Sequence, residues 1–279
     1  MPPLTPRYSR NELVDIIGDF YTFLTTFYIP SSSLKRPPPA GWPNITKERT
    51  KEFGKSPLVI DLLKHLPYID EEDSRIQYKC DVVDWSLYSA EGFTAAGQDE
   101  DGPTGEMGIR RWIEERAEEK ENEGHEDDDD ASDDEDEEDW DSYGWDEGPE
   151  KSDLPNMIAL AEGYESGGRD IVLDSFKGVI YEDILSYHQM DGVDVREYFK
   201  ELQEKYEKLI LVPIRGEMFE DGTGEQYEEA VEEAVKEYKA IYRSHGWPGD
   251  GFRKEEALEA VELCRRRRED EEDEEDEDD

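Results

Sequence analysis

The apolar residues near the start of the chain recur at the spacing of an α-helix. They are three or four positions apart and line one face: Leu13, Ile16, Ile17, Phe20, Phe23, Leu24 and Phe27. Ser9 and Glu12 have the spacing of a capping box, in which two side chains satisfy free backbone groups at a helix start. The pattern predicts a helix that ends before Pro30, because proline cannot continue a helix interior.

Later segments show the same periodicity. Ser56-Pro57 is a typical helix start, and leucines follow it at 58, 62, 63 and 66. Asp194 has the position of an N-cap for a helix that reaches residue 209. An amphipathic helix over 227–242 is predicted to end at Gly246, and a last helix to run from residue 254 to about residue 266.

Short runs rich in β-branched and aromatic residues predict the strands. Residues 157–162, 170–174 and 179–184 are three such runs, and 175–178 joins the last two as a hairpin turn. Residues 78–88 predict one or two further strands, and 210–213 a short extended piece. The predicted fold class is therefore α+β, with a small, mostly antiparallel sheet covered by helices.

Charge divides the chain into a folding part and two acidic runs. The 279 residues carry a formal net charge of −45; residues 126–150 hold 16 acids, and 269–279 are 11 acids in succession. Such runs cannot offset their conformational entropy by burying apolar surface. We therefore predict a disordered acidic insertion over 113–151 and a disordered acidic tail over 267–279. The core then consists of a helical and strand part in 1–112 and a sheet with C-terminal helices in 152–266.

The acidic composition restricts the class of partner. Without the two runs the chain keeps a net charge of −18, which repels phosphates, so direct nucleic-acid binding is not expected. Basic proteins such as histones or ribosomal proteins are the electrostatic complement. Trp140, Tyr143 and Trp145 are candidate partner-binding residues, because aromatic side chains in an acidic run can anchor on a partner. Ser132, surrounded by acids, is a candidate phosphorylation site. The alternative, that the acidic runs only keep the chain in solution, stays open.

The sequence contains no catalytic or metal-binding motif. The four histidines lack a second ligand at zinc-type spacing, and Cys80 and Cys264 are far apart. No cofactor is predicted, because the glycine-bearing turns match no phosphate-binding motif. A non-enzymatic interaction or scaffold protein is the main hypothesis. The alternatives are an enzyme of unrecognised type that uses carboxylates such as those of Asp170, Asp174 and Asp183, and an acidic chaperone of histones or ribosomal proteins.

The same composition predicts a location inside the cell. No apolar run reaches the roughly 18 residues that a membrane helix needs, and residues 1–10 have no apolar signal region. Only two cysteines occur, a scarcity typical of a reducing compartment. We expect the protein in the cytoplasm, the nucleus or both, without membrane contact.

From Leu154 onward the order of motifs is similar to a known family. Leu154-Pro155 precedes the strand over 158–162, a Gly167-Gly168 turn, the strands over 171–174 and 178–181, and a helix with Tyr198-Phe199. This order, within residues 152–207, resembles the C-terminal half of the SUKH (SMI1/KNR4) domain. The resemblance implies a non-enzymatic interaction module that acts as a scaffold or immunity protein. Residues 20–68 resemble uncharacterised proteins of filamentous fungi, a likeness that implies no activity.

Overall fold

The computed structural model describes residues 5–70, 74–98, 110–111, 113–114, 148–165, 167–184, 192–221 and 229–277. Within them the helices are α1 (Arg10–Phe27), α2 (Pro57–His65), α3 (Ala90–Gln98), α4 (Val195–Glu207), α5 (Glu229–Ser244) and α6 (Lys254–Glu277). The strands are β1 (Leu34–Lys35), β2 (Tyr68–Ile69), β3 (Arg75–Gln77), β4 (Cys80–Val82), β5 (Met157–Gly163), β6 (Arg169–Asp174), β7 (Val179–Ile184), β8 (Gly192–Asp194), β9 (Leu211–Ile214) and β10 (Glu217–Glu220). The α+β fold class is confirmed.

A six-stranded antiparallel sheet is the centre of the fold. Its strands follow one another in chain order, from β3 at one edge to β8 at the other. Strands β4 and β5 are neighbours, with Cys80 opposite Gly163 and Val82 opposite Ala161. The sequence between these two strands contains the long acidic run, so residues from both flanks of that run build one sheet.

The main core lies between one face of this sheet and the helices. It includes apolar side chains of α1, α2 and α4 that the structure buries completely or nearly so, among them Leu13, Ile17, Leu62 and Leu202. Alternate residues of the central strands face these helices, as in Ile158, Ile171 and Ile180. The helices therefore cover this face, as the periodicity predicted.

The other face of the sheet has a smaller apolar cluster. Met157, Val172 and Tyr181, on β5 to β7, are buried together with Ile113. Ile113 belongs to the segment 113–151 predicted as the acidic insertion, and in the structure it is helical and part of this cluster.

The C-terminal helices join the main core through aromatic side chains. The ring of Trp247, which follows α5, stacks on Phe27 of α1 with ring centroids 3.8 Å apart. Its indole nitrogen donates to the carbonyl of Tyr206 at 3.0 Å. The phenol of Tyr242 donates to the carbonyl of Pro213 in β9 at 2.5 Å. These contacts fix α5 and the β9–β10 hairpin on α1.

Helix α6 is longer than the sequence predicted. It continues to Glu277, beyond the end that the sequence predicted near residue 266. Arg267 and Arg268 reach the carboxylate of Glu237 on α5, at 2.7 and 3.1 Å, and Arg265 pairs with Glu262 at 3.0 Å. These ion pairs hold the arginine run in helical form beside α5 and carry the helix past residue 266.

Candidate functional site

A groove with a volume of about 490 Å³ opens beside strands β3 to β5. We call it the acidic groove and define it by six of the residues that line it, which are charged, apolar or aromatic: Asp81, Asp84, Leu87, Tyr88, Glu162 and Tyr164. Three of these side chains are carboxylates and three are apolar or aromatic. This composition suits a partner that offers both positive charge and apolar surface.

The antiparallel register brings the charged residues of the groove into one row. Arg75 on β3 lies opposite Asp81 on β4, and Asp81 lies opposite Glu162 on β5. Both neighbours of Asp81, Cys80 and Val82, belong to the main core. Because successive side chains of a strand point to opposite faces, the row Arg75–Asp81–Glu162 lies on the outer face of the sheet.

One cation of the protein lies within this row. The Arg75 Nε is 3.4 Å from Asp81 Oδ1, and the guanidinium carbon is 4.9 Å from the centre of the Tyr164 ring. Burial raises the pKa of Tyr164, an effect that nearby Arg75 opposes. The Arg75 guanidinium therefore contacts both the Asp81 carboxylate and the Tyr164 ring.

A second cation lies at the opposite end of the groove. The Lys35 ammonium is 2.5 Å from Asp84 Oδ2 and 2.9 Å from Asp70 Oδ1. Partial burial works against the charged amine, but the hydrogen bonds that Lys35 donates to Asp84 and Asp70 outweigh it and raise the pKa of Lys35.

The apolar side of the groove is a rigid turn. Asp84 caps the 3₁₀ turn Trp85–Leu87 by accepting from the amide of Ser86 at 2.9 Å. The buried Trp85 donates its indole N–H to the carbonyl of Ala159 at 2.8 Å and packs against the ring of Tyr88 with centroids 4.6 Å apart. Leu87 is left 67% exposed. The turn thus presents a leucine to solvent on a fixed support.

A second groove, of about 380 Å³, lies between α1 and α4. Asp15 and Asp19 form one rim, and Lys200 lies on the other. Phe20 and Phe199 form its floor with centroids 5.0 Å apart, but these rings are only 3% and 4% exposed. Little apolar surface is available there, so the acidic groove is the better candidate.

A buried charge cluster lies where β6, β7, α4 and β10 meet. Arg169 contacts Glu220 at 3.0 Å and Glu182 at 3.4 Å, and Lys205 contacts Glu220 at 3.1 Å. The phenol of Tyr198 donates to Glu182 at 2.5 Å. Each of these groups has an ionic or hydrogen-bonding partner inside the protein, which is typical of a structural network.

The phosphorylation site and the partner-binding residues predicted from the sequence lie outside the described part of the chain. These are Ser132, Trp140, Tyr143 and Trp145. Their roles stay predictions.

The carboxylates of the enzyme hypothesis do not line either groove where their side chains are described. Asp170 accepts from the amide of Gly163 at 2.7 Å, and Asp174 accepts from the amides of Phe176 and Lys177 at 2.9 Å. Both side chains are buried and hold turns of the backbone. The side chain of Asp183 is outside the described set, and the enzyme hypothesis itself stays an untested alternative.

The structure gives no sign of an activated thiol or a metal centre in its described portion. Cys80 is fully buried, and burial raises the pKa of its thiol, which opposes thiolate formation. Among the residues placed by the structure, no group of His, Cys, Asp and Glu side chains is arranged to hold a metal ion. None of the helices in the same ranges combines the length and apolarity of a membrane span.

The acidic groove was not predicted from the sequence. Asp81 and Glu162 are neighbours only because β4 pairs with β5 across the acidic run, and register between strands so distant in sequence cannot be read from periodicity. The one available signal was a pair of acids, Asp81 and Asp84, within an otherwise apolar segment.

Comparison of the chain with protein-family models, curated proteins and solved structures found no match. The resemblance to the SUKH domain therefore stays a prediction.

Proposed function

We propose that the protein is a non-enzymatic interaction module, of the scaffold kind that the SUKH resemblance implies, and that it binds basic segments of other proteins in the acidic groove. One observation supports this most directly. Asp81 and Glu162 lie directly opposite each other on the outer face of the sheet, beside the exposed Leu87. Two carboxylates and a leucine on a rigid support match a basic segment that also carries an apolar side chain.

The energetics of the sheet favour a binding role for this pair. Like charges directly opposite each other on neighbouring strands destabilise a sheet. Arg75 contributes a single positive charge beside Asp81. A partner cation that lies beside Asp81 and Glu162 reduces the repulsion between these carboxylates, which favours binding.

The acidic runs add a long-range attraction to the same partners. A net charge of −45 raises the rate at which basic proteins meet the surface, and this effect weakens as salt is added. In this proposal the aromatic side chains of Trp140, Tyr143 and Trp145 make further contacts with the partner. The partners are basic proteins such as histones or ribosomal proteins in the cytoplasm or nucleus. The acidic runs attract basic segments of any sequence. The acidic groove then binds those segments that also carry a suitable apolar side chain.

Charge-matched variants separate the groove from the overall charge. The test compares Asp81→Asn with Glu162→Gln against a control that combines Glu201→Gln and Glu233→Gln, two exposed acids on α4 and α5. Both full-length proteins have lost two negative charges. The titrant is a labelled nine-residue peptide with four arginines and a central leucine, measured by fluorescence anisotropy in 0.15 M salt.

The groove variant is expected to bind the peptide about tenfold more weakly, which corresponds to about 1.4 kcal/mol. The control variant is expected to stay within about twofold of the wild type, because it retains the groove. Equal losses in the two variants mean that only net charge matters and contradict the proposal. Circular dichroism and urea unfolding of both variants show that the fold is intact.

A deletion tests the contribution of the insertion. Removal of residues 126–147 is expected to weaken binding at low salt and to reduce its salt dependence, because those carboxylates no longer attract the peptide. An affinity that is unchanged at every salt concentration contradicts a binding role for this segment. The groove variants remain informative in either case, since they leave the insertion in place.

A further inference from the structure

We infer that the buried carboxyl of Asp174 is a proton-binding site of the folded protein, which takes up a proton while exposed aspartates are still ionised. The bound proton stabilises the turn between β6 and β7. This pH-sensitive device is not part of the acidic groove and does not depend on the proposed function. It rests on the burial of Asp174, on the donors that its carboxyl contacts, and on a second carboxylate beside the same turn.

Only one oxygen of the Asp174 carboxyl is served by the protein. Asp174 is the last residue of β6 and is 0% exposed. Its Oδ1 accepts from the amides of Phe176 and Lys177, both at 2.9 Å. Within the described ranges, Oδ2 is buried and has no hydrogen-bond donor. Negative charge on Oδ2 is therefore neither paired nor solvated by the described residues, and a proton removes that charge.

The side chains beside Asp174 are mainly apolar. In the sheet Asp174 lies opposite Met157 of β5 and Val179 of β7. Met157 belongs to the smaller apolar cluster on the outer face, in which it is 1% exposed, and Val179 packs against that cluster. Apolar surroundings stabilise a neutral carboxylic acid relative to a carboxylate.

The charged groups around the turn leave Asp174 without a cation of its own. Lys177 Nζ lies 2.6 Å from Oδ2 of Asp153, a side chain that is 14% exposed. Lys177 also donates its amide to Asp174, so two carboxylates share the neighbourhood of one lysine. The neighbouring described elements carry these further charged or titratable side chains: Arg7, Arg110, Arg111, Glu114, Glu150, Lys151 and Tyr181.

The same turn holds the segment that follows the acidic run. Ser175 donates both its amide and its hydroxyl to the carbonyl of Asn156, each at 2.9 Å. The contact between Lys177 and Asp153 lies beside this attachment. When Asp174 is neutral, the Lys177 ammonium interacts with Asp153 alone, so the proton strengthens the attachment of residues 153–156 to the sheet.

The pH range of the effect follows from the direction of the pKa shift. Burial raises the pKa of Asp174 above the ordinary 3.8, and the charge of Asp153 acts in the same sense, while the amides of Lys177 and Phe176 oppose it. The stabilisation by the bound proton is absent above the folded-state pKa. It develops as the pH falls through that pKa and is complete below 3.8.

A carbon-13 NMR titration of the full-length protein observes the proton directly. The carboxyl signal of Asp174, assigned through its bonded carbons, is expected to titrate with a midpoint above 3.8. Asp153→Asn is expected to lower this midpoint, because a negative neighbour is lost, and Lys177→Met to raise it, because a positive one is lost. A wild-type midpoint at or below 3.8, or shifts of the same sign in the two variants, would overturn the inference.

Urea unfolding between pH 7 and pH 4 tests the effect on stability. Asp174→Asn keeps the shape of the side chain and an oxygen that accepts from the two amides, but it cannot ionise. The urea midpoint of the wild type is expected to rise relative to that of Asp174→Asn as the pH falls. Asp250→Asn, at an exposed position, is expected to follow the wild type at every pH. A difference between wild type and Asp174→Asn that stays constant with pH contradicts the inference; if this variant does not fold, the NMR titration decides.

Discussion

Replacement of Arg169 by methionine tests whether the buried charge cluster is a structural network. The Arg169 side chain is 10% exposed, and its guanidinium lies 3.0 Å from Glu220 and 3.4 Å from Glu182. It also donates to the carbonyl of Gly167 at 2.9 Å. Methionine has a similar length and an apolar side chain, so the substitution removes the charge and the donors with little change in volume.

The magnitude follows from what remains around Glu220. That carboxylate is 3% exposed, and without Arg169 it keeps its ion pair with Lys205 at 3.1 Å, whose side chain is 37% exposed. Removal of one partner of a buried ion pair costs about 3–5 kcal/mol when the other charge is left uncompensated. Because Lys205 still pairs with Glu220, we expect a loss near the lower end, about 3 kcal/mol in the free energy of unfolding.

Urea unfolding at neutral pH, followed by circular dichroism and tryptophan fluorescence, measures this loss. Arg169→Met combined with Glu220→Gln is expected to recover part of it, since Glu220, the more deeply buried of the two carboxylates that Arg169 contacts, is then neutral. Lys208→Met, at a 63% exposed position, removes the same charge and is expected to change stability by less than about 0.5 kcal/mol. A loss below about 1 kcal/mol for Arg169→Met, or a double variant less stable than the single one, refutes this reasoning.

Three further outcomes are expected. Trp85→Ala removes a fully buried ring and its hydrogen bond to Ala159, and is expected to cost about 3–5 kcal/mol in urea unfolding; a loss under about 1 kcal/mol contradicts this packing. Cys80 and Cys264 are 0% and 6% exposed, so both thiols are expected to react with a thiol reagent only in denaturant. Rapid labelling of either cysteine in the native protein would contradict this burial. Hydrogen bonds from Arg265, and then from Arg266, lower the pKa of Glu262 from 4.5 to about 2, so its stabilisation is complete above pH 4.5 and is lost as the pH falls towards 2. Glu262→Gln is therefore expected to be less stable than the wild type by about 0.2–1 kcal/mol at pH 7, and a difference that does not shrink below pH 4 argues against this ion pair.

Local patterns in the sequence predicted the helices of the core well. The capping box at Ser9 and the end before Pro30 correspond to α1 as it is found, Arg10–Phe27. Asp194 caps α4 by accepting from the amides of Arg196 and Glu197, as its position suggested. Helix caps and helix ends depend on residues within a few positions of each other, so they can be predicted from the local sequence.

Long-range pairing could not be predicted in the same way. The junction of β4 with β5 joins residues on either side of the acidic run, and no local signal specifies which strand edge receives β4. The end of α6 was missed for a related reason, because Arg267 and Arg268 are held by Glu237 of another helix. Composition alone favoured disorder there.

The candidate site shows the same difference between what local sequence predicts and what only long-range strand pairing determines. Composition directed attention to the acidic runs, whereas the acidic groove is built from isolated acids that the sheet brings together, Asp81 and Glu162. Asp170 and Asp174, chosen from the sequence as candidate catalytic carboxylates, hold backbone amides in the structure. A buried aspartate that caps a turn and a catalytic aspartate are alike in sequence, and only burial and hydrogen bonding distinguish them.

Hydrogen–deuterium exchange of the full chain, with and without a saturating arginine peptide, tests most directly whether the protein works through the acidic groove. We predict slower exchange in fragments that cover residues 80–88 and 161–165, while fragments of α4 over 195–207 do not change. Protection confined to other parts of the chain, with residues 80–88 and 161–165 unaffected at saturation, would contradict it.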